Sequence, residues 1–137
     1  MTTMEPRGLV FETTALLNPS QQARELRVVF GYLATDPWAI SMVMHTTTPV
    51  PWTFARELIA DGLNTTTGHG DVRVVPAETA VTLELSSPSG AARLAFARAS
   101  LEKLIEHTEH LVPLGAEAEH VDWDDALATL APQRGDR

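Results

Sequence analysis

An α+β fold built on a mostly antiparallel sheet is the class this sequence predicts, and three observations carry it. Several short runs alternate apolar with polar residues, the period of a half-buried strand. Two of those runs are joined by Ser87-Pro88-Ser89-Gly90, a tight-turn sequence that brings the chain back beside itself. Elsewhere the apolar period lengthens to that of a helix, and these stretches do not alternate regularly with strands as they would around a parallel sheet. The predicted order is four strands, a helix, three strands and two helices, which makes about seven strands and three helices.

The first strand is read from Leu9, Phe11, Thr13, Ala15 and Leu17, which share one face before the turn residues Asn18-Pro19-Ser20. Leu26, Val28, Phe30, Tyr32 and Ala34 form a second alternating set, closed by Thr35-Asp36-Pro37. A third run, Trp38 to Thr46, places Ile40, Met42 and Met44 on one side. Val50 to Thr53 reads as a short fourth strand at an edge, because Pro49 and Pro51 cannot donate to a ladder. Phe54, Ala55, Leu58 and Ile59 then fall at helical spacing, with Thr53 as the expected N-cap and Gly62 as the expected C′ glycine. After the Thr- and Gly-rich loop Asn64 to Gly70, three strands are expected at Asp71–Val75, Thr79–Ser86 and Gly90–Phe96. Residues Ala97 to Val112 make the longest helix, with Ala97, Leu101, Leu104, Ile105, Leu111 and Val112 on its apolar stripe and Pro113 as its stop. A last short helix is expected after Asp122, with Trp123, Ala126, Leu127 and Leu130 on its apolar side.

A chain of 137 residues that is 44% apolar fits a single domain, 1–137, with a core from about residue 9 to residue 130. It contains no cysteine, which excludes a disulfide framework, a thiolate metal site and a thiol nucleophile, and agrees with a reducing cytoplasm. Neither a signal peptide nor a membrane span is expected, since no apolar run approaches the ~20 residues that cross a bilayer. The formal net charge is −8, and eight of the acidic residues lie between Leu101 and Asp125 with only Lys103 opposing them. Such a surface repels phosphate backbones, whose binding depends on Lys and Arg. A solvated face is the simpler account of it, and a docking surface for a basic partner is the functional one. Glu106, Glu109, Asp124 and Asp125 are the residues expected to carry that contact.

Little in the chain points to catalysis. His107 and His110 share a helix face with Glu106 and Glu109 nearby, but the other three histidines offer no ligand spacing, so no metal site is expected. Gly68-His69-Gly70-Asp71 lacks the lysine and the following helix of a phosphate loop and reads as a turn into a strand. No Gly-x-Ser-x-Gly elbow is present, and the pair Glu57 and Asp61 is a weak acid–base signal. No catalytic residue and no cofactor is therefore assigned.

Three ordered stretches resemble the SsgA-like proteins of sporulating actinobacteria. They are Asp36-Pro37-Trp38-Ala39-Ile40, the run from Trp52 through Phe54, Arg56 and Gly62 to Leu63, which is similar to W-x-F-A-R-x-L-L-x-x-G-L, and Gly68 to Val74, which is similar to G-x-G-D-V-R-V through Gly70, Asp71 and Arg73. Leu83 to Gly90 adds a Leu-Ser-Ser-Pro-x-Gly hairpin. The similarity runs from about Leu9 to Leu130. It departs at Val75, where many relatives carry tryptophan, and at a longer Asn18–Leu26 region.

The resemblance implies a bent, Whirly-like sheet assembling as a homotrimer, and a regulator of septation without catalytic residues. It implies contacts with the tubulin-like division protein FtsZ or with an SsgA-like paralogue, at the division septum in the cytoplasm. Within that frame Trp52, Phe54 and Leu58 are expected to anchor the first helix to the sheet, Arg56 to pair with Asp71 or cap a carbonyl, and Arg73 to face a subunit interface. Single-stranded nucleic-acid binding is the alternative the Whirly-like architecture raises, and the acidic charge and the absence of a basic groove weigh against it.

Overall fold

The computed structural model describes residues 2–5, 7–68 and 70–120. In chain order these form β1 (Thr2–Glu5), β2 (Gly8–Leu17), β3 (Arg24–Leu33), β4 (Asp36–Met44), β5 (Val50–Ala55), α1 (Arg56–Gly62), β6 (Val72–Pro76), β7 (Ala80–Ser87), β8 (Gly90–Ala97), α2 (Arg98–Leu111) and a 3-10 turn at Glu117–His120. The strands make one sheet in the order β5-β4-β3-β2-β8-β7-β6, with β1 added beside β2, and every pairing is antiparallel. The eighth strand is β1. Its Thr-Thr-Met-Glu run shows no apolar alternation, so it is held by the ladder to β2 and has no pattern of its own.

The path turns at β2, which pairs with β3 along its whole length, from Gly8↔Leu33 to Leu17↔Arg24. Its other edge is shared: β1 covers Gly8 to Phe11, and β8 meets only Leu16 and Leu17. The two halves of the sheet are therefore joined through a short seam, and the sheet curls there. Asn18 secures the seam. It adopts a left-handed φ of 50°, which asparagine tolerates better than most residues, its amide donates to the Arg93 carbonyl at 2.7 Å, and its Oδ1 accepts from the Arg93 amide at 3.1 Å.

Alternation puts Leu9, Phe11 and Ala15 of β2, Leu26, Val28, Phe30 and Tyr32 of β3, and Ile40, Met42 and Met44 of β4 on the enclosed face. Val74, Val81, Leu83, Leu94 and Phe96 supply the other half, and the Phe30 and Phe96 rings meet at 5.6 Å. Helix α2 closes the core with Leu101, Leu104, Ile105 and Thr108, and α1 packs against β4, β6 and α2.

Several local expectations change. Phe54 and Ala55 belong to β5, paired with Ile40 and Ala39, because the inward alternation Trp52–Phe54 continues that strand. The helix consequently begins at Arg56, its N-cap is Ala55, and no side chain caps it; Thr53 pairs with Ser41 in the sheet instead. Ala97 likewise pairs with Ala80 in β8 and is exposed, so the apolar stripe of α2 begins at Leu101. Pro37 is the second residue of β4, and its carbonyl accepts from the buried Tyr32 hydroxyl at 2.8 Å. The expected final helix after Asp122 lies outside the described residues.

Candidate functional site

The residues singled out in the Trp52–Leu63 stretch converge on one buried polar node. Arg56 begins α1 and is fully enclosed, which for a guanidinium demands partners. Its Nη1 donates to the Val112 carbonyl at 2.6 Å and lies 3.4 Å from Thr108 Oγ1. Nη2 donates to Glu117 at 2.7 Å, and the guanidinium sits 5.1 Å from the centre of the Tyr32 ring. Nε has no partner among the described residues. The Val112 carbonyl is one of the acceptors a helix C-terminus leaves unbonded, so Arg56 caps α2 from outside it. The carbonyl-capping expectation holds. The pairing with Asp71 does not, because Glu117 occupies that place and Asp71 is exposed.

Electrostatics follow from the geometry. The hydrogen bond from Arg56 holds the Glu117 carboxyl below its ordinary value, and Glu117 Oε1 also accepts the Gly115 amide at 2.9 Å. Burial pushes the Tyr32 phenol up to about 12. None of Tyr32, Thr108, Val112 or Glu117 was visible as a partner in the sequence, since they lie up to 61 positions from Arg56 and form no local motif.

Phe54 is buried in the core, whereas Trp52 and Leu58 pack against it only partly enclosed. Gly62 is not a left-handed C′ residue. It lies inside α1, and a Cβ there would stand 2.4 Å from Val74 Cγ1, so glycine is required for the helix to approach β6. Gly70, at a φ of 82°, makes the turn before β6 that the Gly-rich loop led one to expect. Asp71 accepts the Ser86 amide through its carbonyl, and Arg73 faces outward, 3.2 Å from Glu84.

On α2, Glu106 is exposed and Glu109 partly so; Asp124 and Asp125 lie outside the described residues. The His107 and His110 rings stack at 6.4 Å with the Phe11 edge against His107. Among the described residues no three His, Asp or Glu side chains are grouped to hold a metal, and no helix is long and apolar enough to cross a membrane.

These features define the class: an α+β protein with a curled antiparallel sheet, two α-helices among the described residues, and a buried arginine that fastens them to it. Residues 26–117 match the family model described as Streptomyces sporulation and cell division protein, SsgA. The chain is 36% identical to the sporulation-specific cell division protein SsgB of Salinispora tropica, over 98% of this chain and 100% of that one. To SsgB of Streptomyces coelicolor it is 41% identical, over 72% and 77% of the respective chains. A solved structure of SsgB, from work correlating its mutations with longitudinal cell division during sporulation of S. coelicolor, superposes with a TM-score of 0.79 at 33% identity, covering 86% of this chain and 99% of that one. The SsgA-like sporulation-specific cell division protein of Thermobifida fusca gives 0.80 at 33% identity, over 93% and 98%. The chain belongs to the SsgA-like family.

Proposed function

We propose that this protein is a non-catalytic regulator of cell division during sporulation, acting in septum-site selection through contacts with FtsZ, an SsgA-like paralogue, or both. The observation that carries this reading is the end-to-end match to the S. tropica SsgB, which covers essentially all of both chains. The reading places it in the cytoplasm at the division septum, as a homotrimer. On the outer face of the first half-sheet Val10, Leu16 and Leu33 are 49%, 42% and 57% exposed, apolar side chains that a subunit contact would cover.

The test is a fluorescent fusion imaged beside FtsZ in the sporulating host, in wild-type and deletion backgrounds. Foci at nascent septa, with disturbed FtsZ ladders in the deletion, are expected. Diffuse signal and normal septa would refute the reading. Light scattering on the purified protein tests the trimer separately.

A further inference from the structure

The Asp36–Ile40 stretch, singled out in the sequence, is where β4 leaves regular pairing with β3. Gly31 pairs with Ser41 and Leu33 with Asp36, so Tyr32 alone stands opposite Pro37, Trp38, Ala39 and Ile40. β4 therefore bows away from its neighbour, as the longer strand of a bulge must. Pro37 suits the bow because it has no amide to leave unpaired, and the Tyr32 hydroxyl holds it by donating to the Pro37 carbonyl at 2.8 Å.

A pocket of about 320 Å³ lies at this bow, lined from its two strands by Gly31, Leu33, Asp36 and Ser41. It is on the outer face, since Ile40 and Met42, on either side of Ser41, are buried in the core. Register keeps its other walls on that same face: Val10, Gly31, Ser41 and Thr53 stand in one row across β2, β3, β4 and β5, spanning about 14 Å. A Cβ at Gly31 would stand 2.7 Å from Ser41 Oγ, so even alanine would crowd the floor. Val10 and Leu33, 49% and 57% exposed, rise beside it. An open pocket of this size is at the foot of the range for small-molecule sites and suits one inserted side chain. Asp36 is the only charged residue that lines it. Its side chain is exposed and makes no ion pair or hydrogen bond among the described residues. Arg7 is in the adjacent turn, where its carbonyl accepts the Ala34 amide at 2.7 Å, and it does not pair with Asp36 either.

We propose that this pocket is the docking site for a basic, apolar-anchored segment of a partner protein. One large aliphatic or aromatic side chain sits over Gly31 between Val10 and Leu33. Lys or Arg within three positions of it reaches Asp36, a span of up to about 10 Å of extended chain. Charge decides the occupant: in a chain of net charge −8, an unpaired carboxylate at the rim draws a cation and turns acidic segments away. A neighbouring subunit that closed over the pocket with apolar side chains alone would bury that carboxylate unpaired, which is costly. The proposal rests on the reading that the protein works through protein contacts, and it adds where and with what chemistry.

The test is selection from a displayed library of random twelve-residue peptides on the purified, full-length protein. The expected result is enrichment of peptides carrying one large apolar residue with Lys or Arg within three positions. Synthetic copies should bind Ser41→Tyr about tenfold or more weakly, with unchanged circular dichroism, because Ser41 is exposed and a tyrosine there covers Gly31 without touching the core. Asp36→Asn should weaken them about threefold and remove most of their salt dependence. Selection repeated on Asp36→Lys should favour Asp or Glu in place of Lys or Arg, an exchange that a merely structural Asp36 would not produce. Selection of no motif, of an acidic motif on the wild type, or of peptides indifferent to Ser41→Tyr would overturn the proposal. So would a fall in assembly mass for Ser41→Tyr in light scattering, which would assign the pocket to a subunit contact. A Ser41→Tyr fusion that still marks septa while losing the peptide would remove this site and leave the division reading standing. A diffuse wild-type fusion with peptide binding retained would remove the division reading and leave the site.

Discussion

Replacing Arg56 with methionine should cost about 3 kcal/mol of folding stability, while replacing Glu117 with glutamine should cost only about 1. The difference follows from who is buried. Methionine keeps the aliphatic stem but leaves the enclosed Val112 carbonyl without its donor, which costs about 1.5–3 kcal/mol for a charge-assisted bond. Thr108 loses little, because its hydroxyl still donates to the Ile105 carbonyl at 2.8 Å. The guanidinium–Tyr32 contact adds about 1 kcal/mol at a desolvated site, and relief of the unpartnered Nε offsets a similar amount. Glu117 is 15% exposed, so its share of the ion pair is discounted to about 1 kcal/mol, and glutamine still offers Arg56 an oxygen. With a urea dependence of about 2 kcal/mol per molar, the midpoint should fall by roughly 1.5 M for Arg56→Met and by roughly 0.5 M for Glu117→Gln. Equal losses in the two variants, or an Arg56→Met midpoint within about 0.5 M of wild type, would refute the buried-node account.

Gly62→Ala should destabilise by about 1–3 kcal/mol through its clash with Val74, and Val74→Ala in the same chain should recover part of that loss in thermal melts. Glu117 has a lowered folded-state pKa, so its stabilisation is present above the unfolded carboxyl's 4.5 and is lost as pH falls through the folded value; the gap between wild type and Glu117→Gln should be steady near neutrality and close in acid. Tyr32 is the only tyrosine, so phenolate absorbance should titrate near 12 in the native protein and near 10 unfolded, with stability falling as pH rises between those values. Charge reversal at Glu106, Glu109, Asp124 and Asp125 should weaken pull-down of the division partner while leaving the melt unchanged; unaltered pull-down would exclude that surface.

Strand content was legible because each half-buried strand carries its own period: Ile40, Met42 and Met44, or Val81, Leu83 and Leu85, announce one face without help from the rest of the chain. Junctions were less legible. Phe54 and Ala55 satisfy helical spacing with Leu58 and Ile59, yet pairing with β4 keeps them in a strand, since a ladder to a neighbour outweighs one turn of helix propensity. The role of Gly62 was misread for a related reason. A glycine near a helix end signals a left-handed cap, whereas close approach to β6 leaves no local trace. Arg56 was recognisable as a residue needing partners, but Val112 and Glu117 are distant in sequence, and β1 has no pattern at all.

The Arg56 node also bears on how the surfaces are presented. Residues 113–120 bury almost no side chain, and the 3-10 turn holds no buried residue. The Glu117–Arg56 bond ties this segment to the start of α1, the Gly115 amide binds the same carboxylate, and the 3-10 turn also lies against β4. In sequence the acidic stretch continues from Glu117 toward Asp125, and an arginine at the start of α1 holds the carboxylate of Glu117. Arg73 and Arg93 are placed differently, by strand register and by Asn18, with no dependence on Arg56. The two surfaces are therefore separable. Weakening the Arg56 node should disturb contacts made by the acidic stretch while leaving the β6–β8 register in place, and a variant that loses both at once has lost the fold.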